Sequence, residues 1–270
     1  MPYTRGPGRY VRRFADVPLP VGELGNDCFA MFESATFIRS FVPAGQAGLG
    51  FHTHEVEQVY FILAGELDVV IGGTTVTGRK HDLIIIPRGL PHRNFNRSTA
   101  DELHLEIILP TPAPWPAWTQ AAEQDSAPAP PDLVRCEDPA KAIAYERHPE
   151  YRSSILADRK SGFDGGHLRI DRLDSGGSGP GLHIHRFDQF YFVLEGTLSV
   201  EVAGERHDVR PHELAVLSQG APHRQWNESR SEVKWLTMNL PEPEPGVRWD
   251  APVHSFTGDF SYVPEQGEPW

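Results

Sequence analysis

Hydrophobic and polar positions alternate in short runs along most of this chain, and the runs are of strand length. Val59–Leu63, Leu67–Ile71, Leu83–Ile86 and Leu103–Leu109 are rich in β-branched, aromatic and leucine residues and are separated by Gly, Pro, Asn and Asp. The same is true of Phe190–Leu194, Leu198–Val202, Leu214–Leu217 and Val233–Met238. Strand-length runs between turn residues predict an antiparallel sandwich or small barrel. Helical periodicity is thin; Pro114–Gln124 and Pro139–Arg147 are the segments with room for a turn or two.

The two sets of runs are copies of one another. Gly50, His52, His54, Gln58, Tyr60, Leu63, Gly65, Leu67, Gly89, Pro91, His92 and Asn96 recur as Gly181, His183, His185, Gln189, Tyr191, Leu194, Gly196, Leu198, Gly220, Pro222, His223 and Asn227, always 131 residues later and without a gap. A period this long makes each repeat a domain rather than one unit of a stack. The boundaries expected are an N-terminal arm (1–20), a first barrel (21–112), a Pro/Ala-rich connector (113–135), a second barrel (136–243) and an aromatic tail (244–270). The connector, with Thr111-Pro112-Ala113-Pro114-Trp115-Pro116 and Ser126-Ala127-Pro128-Ala129-Pro130-Pro131, should be extended and stiff. The tail carries Trp249, Phe256, Phe260, Tyr262 and Trp270, and is expected to pack across a barrel or between subunits.

Residues two apart on a strand face the same side, so His52 and His54 should project into one interior together with Gln58 and Tyr60. His92 should enter from a neighbouring strand, with Asn94 and Asn96 following it inward. Buried imidazoles that bind nothing would each need other polar partners, independently in both copies, so a shared ligand explains the repetition better. His81 and His212 fall in turns and are expected to be solvated. His104, whose counterpart is Trp235, is expected in the core or at a cavity wall.

The pattern resembles the two signature motifs of the cupin superfamily, the first as HxHxxxQ running into YxxLxGxL and the second as PxGxPHxxxN. Fifteen residues separate them in each copy (66–80 and 197–211). The resemblance implies an all-β bicupin of two double-stranded β-helix, jelly-roll-like barrels in tandem. It implies a divalent transition metal in each barrel, held by His52, His54, Gln58 and His92 in the first and by His183, His185, Gln189 and His223 in the second. Imidazole with an amide oxygen suits Fe, Mn, Ni, Co or Zn without choosing among them. Two departures stand out. Glutamine replaces the usual glutamate twice, and the Gly-Asp opening of the second motif reads His81-Asp82 and His212-Glu213.

With a neutral fourth ligand the metal charge is left uncompensated, which favours an anionic, chelating small molecule. Glutamine cannot act as a base, so a base must come from the substrate, a hydroxide on the metal, or a neighbour. Tyr60, Tyr191 and Glu106 are the catalytic candidates by strand parity. The function expected is a metal-dependent enzyme acting on a small phenolic or enolisable compound, an O2-dependent dioxygenase of quercetinase-like type. The alternatives are a non-oxidative isomerase, cyclase or lyase, and a non-catalytic small-molecule-binding cupin; a structural seed-storage-like bicupin would ordinarily have lost the histidines.

A formal net charge of −12 and no basic stripe exclude nucleic acid as a partner. No stretch has the roughly 18 apolar residues of a membrane span, and residues 1–13 lack the apolar core of a secretory signal. Cys28 and Cys136 are not equivalent in the repeat and are expected to be free thiols of a cytoplasmic protein. A homodimer is the assembly considered.

Overall fold

The computed structural model describes residues 10–13, 24–112, 119–124 and 129–253. Its contacts divide the chain into a unit formed by 16–137 and a unit formed by 1–15 with 138–270. Each is built of two antiparallel sheets, the double-stranded β-helix that the cupin resemblance implies.

In the unit 16–137 one sheet has the order Val134–Arg135, Leu83–Ile86, Glu57–Ala64, Glu102–Leu109, Thr36–Val42, Gly25–Met31. The other has the order Gln120–Ala121, His52–Thr53, His92–Phe95, Glu66–Ile71, Thr74–Arg79. In the second unit the larger sheet runs Val11–Arg13, Glu213–Leu217, Asp188–Glu195, Val233–Leu240, His167–Leu173, His148–Ala157, Ile143–Tyr145. Its smaller sheet runs Glu205–Val209, Leu198–Val202, His223–Trp226, His183–Ile184, Ala251–Pro252. All eight strands expected from the sequence are present, within one or two residues at each end.

The repeat extends further than the motifs. Ala121 pairs with His52, and 131 residues later Pro252 pairs with His183. Val134 pairs with Ile84, and Val11 takes the corresponding place opposite Ala215. The segment read as a stiff connector therefore supplies two strands to the first sheet pair, and the strand Val11–Arg13 of the arm belongs to the second unit. Backbone groups left open on a sheet edge are satisfied by any extended segment within reach, which the Pro-rich composition did not reveal.

The glycine of YxxLxGxL is demanded by the turn it makes. Gly65 sits at φ +73°, where a Cβ would lie 2.6 Å from the Asp101 carbonyl oxygen; Gly196 sits at φ +79° against Glu232 in the same way. The turns at His81 and His212 are left-handed too, at φ 71° and 65°, although neither residue is glycine. These histidines are not solvated loop residues. His81 is half-buried and stacked on Phe61, with ring centroids 5.9 Å apart and planes 16° from parallel, and His212 stacks on Phe192 at 5.9 Å and 12°. The stacking offsets part of the strain of a left-handed backbone.

Helix is limited among the described residues to single 3-10 turns. Pro139–Lys141 is one, capped by the Asp138 carboxylate, but Ile143–Tyr145 is a strand, and residues 119–124 carry the strand Gln120–Ala121. Trp249 packs edge-on against His167 at 4.9 Å, as expected of the tail; Phe256, Phe260, Tyr262 and Trp270 lie outside the described residues.

Candidate metal centres

Within each unit the smaller sheet brings two histidines into register. His52 pairs with His92, and His183 with His223. His54 and His185 follow two residues after their partners, and the imidazole nitrogens of each trio lie within 4.8 Å of one another, all six residues being buried. Two ligands on opposite sides of a bound transition metal are about 4.2 Å apart, so small rotations close either trio around one ion.

The hydrogen bonds show what these nitrogens can do. Nδ1 of His52, His54 and His92 donates to the carbonyl oxygens of Gly50, Val56 and Leu90 at 2.8, 2.8 and 3.1 Å. Nδ1 of His183, His185 and His223 donates to Gly181, Trp249 and Ala221 at 2.6, 2.8 and 2.9 Å. A carbonyl can only accept, so every Nδ1 carries a hydrogen and every neutral ring presents a lone pair at Nε2, as metal-ligating histidines do. Burial, reinforced by the neighbouring imidazoles, brings His92 and His185 down to about 3 and His223 well below the ordinary range. It lowers His54 and His183 as well.

The glutamines complete each centre. Nε2 of Gln58 donates to a Glu106 carboxylate oxygen at 2.5 Å, which turns Oε1 toward Nε2 of His54 at 2.7 Å. In the second unit Nε2 of Gln189 donates to Asn239 Oδ1 at 2.8 Å, turning Oε1 toward Nε2 of His223 at 3.1 Å. Two lone pairs face each other in both places without a proton between them. The buried Nε2 atoms of His92 and His185 have no hydrogen-bond partner. Converging acceptors and orphaned buried nitrogens cost free energy unless a cation sits among them, so the residues present fit a divalent metal.

In the first unit the centre opens into a cavity of about 310 Å³. His52, Gln58, Tyr60, Asn94 and Glu106 form its polar wall, and Leu24, Ile38, Val42 and Leu49 an apolar one. Of the three catalytic candidates, Tyr60 and Glu106 stand together here, while Tyr191 belongs to the core of the second unit beside Trp235, at 5.8 Å. Burial raises both phenols far above their ordinary value, Tyr60 further through Glu106 and Glu102, so both stay protonated near neutrality and neither is a base.

Glu106 accepts from Gln58 at one oxygen and from Ser40 at the other, 2.9 Å away. The four motif side chains alone would leave the metal charge uncompensated in both barrels. In the first, Glu106 supplies a negative charge beside the ligand set. Asn96 is not an inward residue: its amide donates to Val42 and Ala100 and accepts from Ser98, closing a loop. His104 is fully buried away from the cavity lining, with Nδ1 on the Glu102 carboxylate at 2.9 Å. Desolvation lowers its pKa, but Glu102, with Glu106 adding through space, overcomes this and the net shift is upward. Ser40 and Asn239 escaped notice from sequence; their inward parity on Thr36–Val42 and Val233–Leu240 was the available signal.

A profile of the Cupin domain matches residues 39–108 and 170–239. The chain belongs to the cupin family. Curated proteins give no match to it. Among solved structures, salicylate 1,2-dioxygenase from Pseudaminobacter salicylatoxidans is similar with a TM-score of 0.63 at 13% identity, over 81% of this chain and 77% of that one. The Pseudoaminobacter salicylatoxidans enzyme in adducts with gentisate gives 0.62 at 13% identity, over 77% and 68%. AerE from Microcystis aeruginosa gives 0.61 at 15% identity, over 81% of this cupin and 93% of that chain. Likeness at these identities speaks for the cupin fold.

Proposed function

We propose that this bicupin is a metal-dependent enzyme whose first barrel acts on a small phenolic or enolisable compound in an O2-dependent dioxygenation. The observation that carries the reading is the cavity of about 310 Å³ whose wall holds His52 of the three-histidine cluster, the oriented Gln58 amide and the Glu106 carboxylate. A pocket that is part apolar, with a few convergent polar groups, suits a small ligand. The names of the similar structures, a salicylate dioxygenase and its adducts with gentisate, support a phenolic substrate class.

His52, His54, Gln58 and His92 would hold the metal, which when bound supplies Lewis acidity and, if redox-active, a route for electrons to O2. The second set is His183, His185, Gln189 and His223. Leu24, Ile38, Val42 and Leu49 receive the apolar part of the substrate and direct its oxygens toward the histidines. Tyr60, a neutral phenol, donates a hydrogen bond from the same wall. Glu106 takes the hydroxyl or α-carbon proton as the substrate binds, and Glu106→Gln should lower kcat by roughly 100-fold or more.

Glu106 also favours a second reading. A carboxylate beside an activated carbonyl is what proton transfer needs, so a non-oxidative isomerase, cyclase or lyase uses the same residues. The test is O2 uptake on a panel of catechols, hydroxybenzoates, flavonols and 1,3-diketones, repeated under strict anaerobiosis with Zn(II)-loaded protein. Turnover that stops without O2 is the expected result. Full turnover with Zn(II) in its absence would refute the dioxygenase and establish the second reading.

A further inference from the structure

The two centres share a ligand frame but sit in interiors of different charge. In the first unit, Glu102, His104 and Glu106 are inward on the strand Glu102–Leu109; their equivalents on Val233–Leu240 are Val233, Trp235 and Thr237. Across from them, Ile38 and Ser40 correspond to Arg169 and Asp171. Glu102 and Glu106 share one imidazolium: His104 is hydrogen-bonded to Glu102 and feels Glu106 through space, which leaves a net negative charge on the pair, and Glu106 is the carboxylate in contact with Gln58. Arg39, also buried in this unit, alternates to the opposite face of its strand and pairs with Asp27.

In the second unit Asp171 is matched by Arg169, with Nε 3.0 Å from both carboxylate oxygens. Asp171 also accepts from Tyr151 at 2.8 Å and from Thr237 at 2.5 Å. The Gln189 amide is therefore oriented by a neutral group, Asn239, whose own Nδ2 is buried without an acceptor. Lys234 alternates to the other face, like Arg39 in the first unit.

We propose that Glu106 and Asn239 are positioning residues that make the two centres unequal: the first binds a divalent cation more tightly, and the second, once loaded, accepts an anion more readily. This rests on the metal centres proposed above. Glu106 lends one negative charge through the Gln58 amide and makes its oxygen the better donor. In the second centre no carboxylate is hydrogen-bonded to the glutamine; Asp250 acts on His183 through space only, opposed by the buried Arg169 beside His185 and by an unused amide N–H on Asn239. Changing a group hydrogen-bonded to a ligand alters metal affinity by roughly 10- to 100-fold, which sets the scale of the difference. The second ligand class is accordingly a small carboxylate or inorganic anion.

The experiment is a Co(II) titration of the full-length apo-protein, followed by the d–d spectrum and then by azide. His54→Ala leaves only the second centre and His185→Ala only the first; His92→Asn and His223→Asn serve if either chain fails to fold by circular dichroism. Two steps are expected, the tighter one lost in His54→Ala, together with a response to azide at about tenfold lower concentration in His54→Ala than in His185→Ala. Glu106→Gln, which keeps an oxygen to receive the Gln58 proton, should narrow both differences. Equal affinities, or a separation that Glu106→Gln leaves intact, would overturn the proposal while the metal centres stand. Absence of Co(II) binding at either cluster would remove the metal reading itself and this proposal with it.

Discussion

Gln189 gives its amide proton to Asn239, although the first copy has isoleucine, Ile108, where the second has Asn239. The first copy orients its glutamine from Glu106 instead, one inward step earlier on the equivalent strand. Both solutions turn an amide oxygen into the histidine cluster, and they differ by a full charge. The replacement of the family's glutamate by glutamine thus has two different electrostatic contexts in one chain.

A carboxylate introduced at each glutamine should expose that difference. In Gln58→Glu it would meet Glu106, and two carboxyl groups at that separation share a proton, so the centre gains little charge. In Gln189→Glu it would meet Asn239, whose amide can turn to donate Nδ2. Co(II) affinity, measured by equilibrium dialysis, should rise by about tenfold or more in Gln189→Glu and stay nearly level in Gln58→Glu. Equal gains in both would show that Glu106 does not act as a charge on the first centre.

The second unit should lose stability in acid through His167, which is not itself one of the metal ligands. Burial first, and the adjacent Arg169 next, bring this imidazole down to about 3, with Asp158 opposing and Lys160 adding to the shift. The unfolded chain regains a value near 6.5 and binds a proton that the folded chain refuses. Stability therefore falls as pH drops from about 6.5 toward 3, by up to about 1.4 kcal/mol per pH unit from this residue. Urea denaturation of metal-free protein should show a shallower pH slope in His167→Phe than in the parent across that window, and an identical slope would contradict the assignment.

Left-handed histidines in the turns at His81 and His212 make a third, purely structural expectation. Alanine keeps the strained backbone and removes the ring from Phe61 or Phe192, whereas glycine removes the ring and relieves the strain. His81→Gly should be more stable than His81→Ala by about 1 kcal/mol, and His212→Gly likewise over His212→Ala. Thermal unfolding of the four variants measures this directly; equal midpoints within a pair would mean that the backbone conformation carries no cost.

Much of the architecture was legible in the residue pattern because strand periodicity and turn chemistry are local properties. Val59–Leu63 and Phe190–Leu194 announce buried strands by composition alone, and a period of 131 residues makes two barrels the economical reading. The histidine trios were legible for the same reason: His52 and His54 are two residues apart, and two is the period of a strand. What the sequence could not contain is which distant side chain touches which. Glu106 lies 48 residues from Gln58 and 66 from Ser40, and only pairing of the strands Glu57–Ala64, Glu102–Leu109 and Thr36–Val42 brings the three together. Edge strands such as Gln120–Ala121 were hidden likewise, since an edge recruits extended backbone whatever its side chains. The charge of each centre is set by these long-range neighbours, because Coulomb interactions follow distance in space and not position along the chain.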